Sequence, residues 1–487
     1  MRIATIVAAE EPEIRSQAEE ASAHADLLEL RIDWLSPPAR DRLSRFLADL
    51  PRPVIATCRR HRDGGRFEGS EEERVALLRR AAAAGASYLD VELGSAAESL
   101  IDAVDCRFIA SHHDLHGVPP DLKALAEAVR GRPGVALGKL VVQARALDDN
   151  LRIRALLTPR GAPLVAFCMG EAGRPSRLLA RAWGSAATYG SASARPAAAG
   201  QMSVREMDRI YGEGRATGRT QLAGILGSPL AHSLPPGAHN AAYRHLHMDW
   251  LYVPLESETV EPAMRLARAL GLRGLSVTAP HKLAIREHLS TIDPLGSKVG
   301  AVNTVVMEGD RARGFNTDVE GAVSPLRRRV ELRGAEVAVV GAGGAARALV
   351  HGLLAAGAKV TIFNRTRARA RALAEEVGVA HAGMEALRDH RHEILVNATS
   401  VGMAPRAGET PVPGDWLRAG LVYDLVYNPP RTRLLHDAAT AGLGTLGGLE
   451  MFVAQAVEQF RMFTGRAAPV GVMREVAERA LAEATWK

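Results

Sequence analysis

The sequence predicts an α/β protein, and three observations carry that reading. In the first half, short runs rich in Val, Ile and Leu recur at residues 3–8, 27–32, 54–58, 88–93, 107–112, 135–142 and 164–168, with a weaker eighth at 186–190; Ala/Arg/Glu-rich stretches of helical periodicity separate them. In the second half, residues 335–366 read AEVAVVGAGGAARALVHGLLAAGAKVTIFNRT, an apolar strand that runs into a glycine turn and a helix of small residues. The 487 residues, 47% apolar and 24% charged, have the length of about three ordinary globular domains.

Strands alternating with helices make parallel β/α units, and eight in succession suggest a closed (β/α)8 TIM barrel. Chemistry in such a barrel sits at the C-terminal strand ends. Glu29 and Arg31 end the second run, Arg59 the third, Asp90 and Glu92 the fourth, and His112 and His113 the fifth, while Arg174 and Arg177 follow the seventh. Lys139 lies inside the sixth, between Leu137 and Leu140. A lysine within an apolar strand is costly unless paired or neutral, and burial lowers its pKa toward the range in which an amine attacks a carbonyl. A histidine one strand away can shuttle protons. The alternative puts Lys139 at a strand edge with its head in water and His113 in an ordinary loop. Their place on adjacent strands, with Glu92 on the next, favours the chemical reading.

The matching stretches are LLELRID at 27–33, DVEL at 90–93, SHHD at 111–114, GK at 138–139, SR at 176–177, GSAAT at 184–188 and GQ at 200–201. This half resembles type I 3-dehydroquinate dehydratase. The resemblance implies that Lys139 forms a Schiff base with the substrate ketone and that His113, oriented by Glu92, is the acid/base. It also implies that Glu29, Arg31, Arg59, Arg177 and Gln201 hold hydroxyls and carboxylate. The family often closes its site with Ser-Ala-Pro-Gly-Gln, whereas residues 197–201 read AAAGQ. Loss of that proline is expected to loosen the loop.

Residues 202–219 resemble the last barrel helix and a Gly/Arg-rich connector, which sets a boundary near 212–220. The expected domains are 1–215, 220–325 (completed by helices from about 450–487) and 326–449.

In the second half, Gly341, Gly343, Gly344 and Ala345 fit the dinucleotide fingerprint G-x-G-x-x-G/A of a Rossmann domain. Any tight strand-to-helix turn can also use glycine. About 20 residues on, where a NAD-binding chain places an acid, stand Asn364, Arg365 and Thr366. Arg365 with Thr366 suits a 2′-phosphate, so the expected cofactor is NADP. Ser233, Ser276, Thr278, Asn303 and Asn316, with Lys282 and Asp318, make a site for a polyhydroxylated ligand, although each small polar residue alone reads as turn or cap chemistry.

This half resembles shikimate dehydrogenase, on SPLAHS at 228–233, VT at 277–278 through Lys282, NT at 303–304, NTD at 316–318, NATSVGM at 397–403, DLVYNP at 424–429 and residues 448–455. The resemblance implies that Lys282 and Asp318 are the catalytic pair and that Ser233, Thr278, Asn303, Tyr427 and Gln455 bind substrate. It places Met403 and Gly448 near the nicotinamide. Pro235 replaces the second serine of Ser-x-Ser-Pro and carries neither hydroxyl nor N–H. Ser276 stands where Asn is usual. Relatives altered at the second serine can prefer quinate, so a quinate or mixed dehydrogenase is the alternative. The order of the halves resembles the fused plant enzymes: 3-dehydroquinate is dehydrated to 3-dehydroshikimate, which NADPH reduces to shikimate.

Net charge is +6, with arginines spread along the chain; this suits small anionic substrates and gives no nucleic-acid stripe. Three widely spaced cysteines offer no metal cluster and suggest a reducing compartment. The opening MRIATIVAAEEPE reads as strand and loop, and no run reaches the length of a membrane span. A cytoplasmic enzyme is expected; its oligomeric state is left open.

Overall fold

A computed structural model of the chain describes residues 1–157, 163–212, 216–230 and 233–484. Part of the expected boundary, at 213–215, and Ala231 and His232 of the SPLAHS motif lie outside the described residues. The chain divides into two compact units, Met1–Leu230 with Asp249–Gly271, and Ala231–Met248 with Leu272–Lys487.

The first unit contains eight parallel strands: β1 (Arg2–Ile6), β2 (Leu27–Arg31), β3 (Val54–Thr57), β4 (Tyr88–Glu92), β5 (Arg107–Asp114), β6 (Leu137–Gln143), β7 (Leu164–Met169) and β8 (Thr188–Ser191). They pair in the order β7-β6-β5-β4-β3-β2-β1-β8, and the Ala186 N–H donates to the Leu164 carbonyl at 2.9 Å where β8 begins, so the ring is nearly closed. The period of two sorts the side chains. Leu28, Leu30, Leu89, Val91, Leu140 and Val142 face the helices. Ile3, Leu27, Ile55, Ile109, Leu137 and Val165 plug the barrel interior. Two residues further along the same inward positions the chain turns polar: Leu27 is followed by Glu29 and Arg31, Ile109 by Ser111 and His113, Leu137 by Lys139. An apolar floor with a polar or charged storey above it is thus written into β2, β5 and β6, while β7 stays apolar through Phe167 and Met169. The unit also holds the parallel pair β9 (Gln221–Gly227) and β10 (Trp250–Glu256).

In the second unit, β11 (Gly274–Val277), β12 (Thr291–Ile292), β13 (Thr304–Glu308) and β14 (Arg311–Phe315) come first, with β13 antiparallel to both β11 and β14. Six parallel strands follow: β15 (Glu336–Val340), β16 (Lys359–Phe363), β17 (Ala380–Ala382), β18 (Ile394–Asn397), β19 (Leu421–Asp424) and β20 (Gly444–Leu446). Their order, β17-β16-β15-β18-β19-β20, is the Rossmann order 3-2-1-4-5-6. Val337 and Val339 face one helical layer and Ala338 and Val340 the other, which is why β15 is apolar on both faces.

Candidate active sites

A cavity of about 270 Å³ opens at the C-terminal ends of the barrel strands; Glu29, Arg31, Arg59, His113, Lys139, Arg177 and Gln201 all line it. Lys139, on β6, is 3% exposed. Its Nζ donates to Glu29 Oε1 and to Asp90 Oδ2, both at 3.0 Å, and lies 4.1 Å from the ring centre of Tyr189. Thr5 and Thr57 donate to the Glu29 carboxylate at 2.9 and 3.0 Å. Burial alone would raise the Glu29 pKa; Lys139, with help from Arg31 and Arg59, outweighs it and holds the carboxyl below its usual range. Asp90 is likewise held low against its burial by Arg59 and Lys139.

Glu92 is a different case from the one expected. Its oxygens accept from Arg59 at 3.0 Å and from Arg74 at 2.6 Å. His113 Nδ1 is buried with no hydrogen-bond partner among the described residues, so Glu92 does not orient it in this structure. The reason is Arg74, the fully buried N4 residue of the helix Glu71–Ala83, whose start is fixed by a reciprocal Ser70/Glu73 capping box. Burial first, then Arg59 and Lys139, push the His113 pKa well below the ordinary value.

The charges of the storey balance: Glu29, Asp90 and Glu92 face Lys139, Arg59 and Arg74. Arg31 is spent on a bidentate pair with Asp33, at 2.9 and 2.7 Å. Arg177 stands apart. It is 3% exposed, its Nε has no partner, its NH1 donates only to the Tyr189 carbonyl at 3.2 Å, and no acidic side chain among the described residues pairs with it. Burial pushes its pKa down to about 10. A buried cation without a counter-ion in a cavity is a seat for an anion. Gln201 closes the rim, its Oε1 accepting the Ala197 N–H at 2.8 Å. Gly170 N–H donates to the Ala199 carbonyl at 3.1 Å, which seats the loop that lacks the family's proline.

In the second unit Lys282 Nζ donates to Asp318 Oδ2 at 2.6 Å, and Asn303 Nδ2 to Asp318 Oδ1 at 2.8 Å. Asn303, expected to bind substrate, gives its other Nδ2 hydrogen to Thr317 Oγ1 at 3.0 Å. Thr278 directly follows β11, half-buried, and Ser233 is half-buried just before the helix Pro235–His245, whose N1 position Pro235 takes. Gln455 packs against the Asp318-bearing helix Asp318–Arg327, where a Cβ on Gly321 would stand 2.8 Å from that of Gln455. Tyr427 stacks near Phe452, ring centres 5.9 Å apart, and burial raises its phenol pKa.

The fingerprint joins β15 to the helix Gly344–Ala355. Gly341 has φ +121, and a Cβ there would lie 3.0 Å from the Ala398 carbonyl beyond β18. A Cβ on Gly343 or Gly344 would meet nothing within 4 Å. Open space at a helix N-terminus, where the strand order reverses, fits a pyrophosphate. After β16, Asn364 Nδ2 donates to the Thr366 carbonyl at 2.9 Å and Arg365 is exposed, free to meet a 2′-phosphate. Gly448 starts the helix Gly448–Thr464 against Leu425, and Met403 is 45% exposed. Together the turn, the open glycines and the basic corner fit a bound NADP.

Tyr189 and Arg74 were absent from the expected sites, and Asp90, placed with Glu92 at the end of its strand, was given no role; it lies two residues before Glu92 on the same face of β4. Arg74 was not readable: its local partner is Glu71 on its own helix, and its pairing with Glu92 is set by tertiary packing.

Residues 3–215 match the family described as Type I 3-dehydroquinase; 225–305 match the shikimate dehydrogenase substrate binding domain, 325–404 the shikimate/quinate 5-dehydrogenases, and 448–478 the shikimate 5′-dehydrogenase C-terminal domain. Over 93% of its length the chain is 35% identical to the chloroplastic bifunctional 3-dehydroquinate dehydratase/shikimate dehydrogenase of Arabidopsis thaliana, covering 80% of that protein. Over 54% it is 41% identical to the shikimate dehydrogenase (NADP(+)) of Methanothermobacter thermautotrophicus, covering 98% of it. The shikimate 5-dehydrogenase of Thermus thermophilus, solved with NADP(H) and shikimate, superposes with a TM-score of 0.50 at 37% identity, over 54% of this chain and 100% of that one.

Proposed function

We infer how the two sites work from one premise: the chain belongs to the family of bifunctional 3-dehydroquinate dehydratase/shikimate dehydrogenases, and is both a lyase and an NADP-dependent oxidoreductase. The residue roles are our proposal. In the first site Lys139 attacks the ketone of 3-dehydroquinate and forms an imine, with loss of water. Its ammonium must first shed a proton, and Glu29 and Asp90 are both in reach at 3.0 Å. The protonated imine acidifies the neighbouring C–H; His113 takes or returns protons as the β-hydroxyl leaves as water, giving the imine of 3-dehydroshikimate, which one water then hydrolyses to release the ketone product and the free Lys139 amine. Arg177 holds the substrate carboxylate, and its missing counter-ion is the observation that carries this reading.

In the second site NADPH, when bound, would supply the hydride for the ketone. Lys282 protonates the developing alkoxide, and Asp318 holds and orients Lys282. Ser233, Thr278, Tyr427 and Gln455 contact the hydroxyls and carboxylate. Gly341, Gly343, Gly344 and Ala345 seat the pyrophosphate, Asn364, Arg365 and Thr366 the adenosine phosphate, and Met403 and Gly448 border the nicotinamide. The family matches over 3–215, 225–305 and 325–404 support the three-domain division 1–215, 220–325 and 326–449, and the packing of the last helix on Pro235–His245 supports its return to the middle domain. The three cysteines are all unpaired, which supports a reducing, cytoplasmic location, testable by cell fractionation. Among the described residues no helix is long and apolar enough to cross a membrane.

The test is to mix protein, 3-dehydroquinate and NADPH, follow cofactor oxidation and identify the product. Shikimate, after a lag that added 3-dehydroshikimate abolishes, is expected. Quinate as the product would instead assign the second half to quinate, the outcome that Pro235 makes worth checking.

A further inference from the structure

We propose that Gln459, which the mechanism above does not use, is a positioning residue of the second site: with Ser276 and Thr304 it holds the Asn303 amide in the one orientation that steadies Asp318. The inference rests on Lys282 and Asp318 being the catalytic pair.

Gln459 lies one helical turn beyond Gln455 in the helix Gly448–Thr464 and is 2% exposed. Both ends of its side chain are engaged. Oε1 accepts from Ser276 Oγ at 2.8 Å; Nε2 donates to Thr304 Oγ1 at 3.0 Å and to the Asn303 carbonyl at 3.2 Å. A hydroxyl that accepts from an amide directs its own proton elsewhere, and Thr304 Oγ1 donates to Asn303 Oδ1 at 2.8 Å. The Thr317 N–H reaches the same oxygen at 2.8 Å. These bonds make Oδ1 the accepting end of the Asn303 amide and turn Nδ2 toward Asp318 Oδ1, 2.8 Å away. Asp318 Oδ2 takes Lys282 at 2.6 Å. From Ser276 through Gln459, Thr304 and Asn303, one donor of each side chain continues a line toward the carboxylate.

The amide is the two-state element. Flipped end for end, Asn303 would set its oxygen against Asp318 Oδ1, two acceptors face to face, and drive the carboxylate from its place beside Lys282. Without the Gln459 donor, the Thr304 hydroxyl is released to turn to Thr317 Oγ1, 3.0 Å away, and Asn303 loses one of the bonds that choose its orientation. Partly satisfied buried networks lose their single arrangement in this way. A glutamine that merely bolted its helix to β13 would alter stability and leave turnover per folded molecule alone.

The experiment uses the full chain, with the NADPH-binding capacity of the same sample, titrated to saturation, as the measure of folded second unit. Gln459→Met is expected to lower kcat for 3-dehydroshikimate reduction about tenfold, with the KM for NADPH within about twofold of wild type. The double variant Asn303→Ala/Gln459→Met should be no slower than Asn303→Ala, because both act through one amide. Should Gln459→Met fold poorly, Ser276→Val against the isosteric Ser276→Thr tests the same relay through its first hydroxyl; valine should lose the turnover that threonine keeps. A kcat within twofold of wild type in Gln459→Met, equal turnover for the valine and threonine variants, or losses that add in full to that of Asn303→Ala, would overturn the proposal. Undiminished reduction by Lys282→Met would overturn the assignment of the pair itself, and the relay with it.

Discussion

At the scale of single residues, the two sites differ in how they treat charge. Lys282 meets one carboxylate, whereas Lys139 sits in a storey of charges already in balance, leaving Arg177 as the surplus cation. A buried, unpaired guanidinium costs stability in the free enzyme and is worth most when a carboxylate arrives. Arg177→Met should therefore raise the KM for 3-dehydroquinate about 100-fold, close to the ~3 kcal/mol upper range for hydrogen bonds to charged groups, without lowering the melting temperature. A fall in melting temperature together with an unchanged KM would place Arg177 in the architecture instead. His113 makes a pH prediction. Its folded pKa is depressed by burial, so below the ordinary histidine value of about 6.5 the unfolded chain binds a proton that the folded chain does not. Stability should fall as pH drops from 7.5 toward 5, and His113→Asn should flatten part of that slope in thermal melts. Lys139 alone reads equally as a strand-edge residue and stood out only because His113 and Glu92 lie on neighbouring strands, whereas the role expected of Arg177 came from the family resemblance and not from its place in the chain. The missing Glu92–His113 contact was not legible, since Arg74 captures Glu92 from a helix whose own sequence shows only its cap.

At the scale of elements, the glycines of the fingerprint separate into two kinds. Gly341 adopts a left-handed backbone and presses on the end of β18, so Gly341→Ala should destabilise the second unit by about 1–3 kcal/mol, measured as a lower melting midpoint. Gly343 has φ −93 and open space where a Cβ would stand. Gly343→Ala should leave the midpoint within about a degree and raise the KM for NADPH tenfold or more, because the methyl fills the space a pyrophosphate needs. Equal destabilisation by both would mean that the open space has no ligand role. The strand-turn-helix was readable from residues 335–366 because its signals are local: an apolar run, glycines at fixed spacing, small residues on a helix. The eighth barrel strand was weak for the opposite reason. Its four residues Thr188–Ser191 are polar or small by composition, and all four are buried only because β1 pairs beside them.

At the scale of the whole molecule, the barrel and the Rossmann sheet were both legible from runs and spacings. The division into two units shows that each set of proposed catalytic residues lies inside one unit: Lys139, His113 and Arg177 in the first, Lys282, Asn303 and Asp318 in the second. Each site can then be silenced alone. Lys139→Arg keeps a cation between Glu29 and Asp90, avoiding two unpaired buried carboxylates, yet removes the nucleophilic amine. It should reduce 3-dehydroshikimate at the wild-type rate and convert no 3-dehydroquinate. Lys282→Met should show the converse, dehydrating 3-dehydroquinate normally while oxidising almost no NADPH. Neither variant alone should make shikimate from 3-dehydroquinate and NADPH, but an equal mixture should, once free 3-dehydroshikimate has accumulated and crossed from one molecule to the other. The lag should shorten as the Lys282→Met variant is increased, since that protein supplies the intermediate. If both variants keep their single activities and the mixture still makes no shikimate, the intermediate does not pass through solution, and two consecutive, separately complete sites would be the wrong description of this chain.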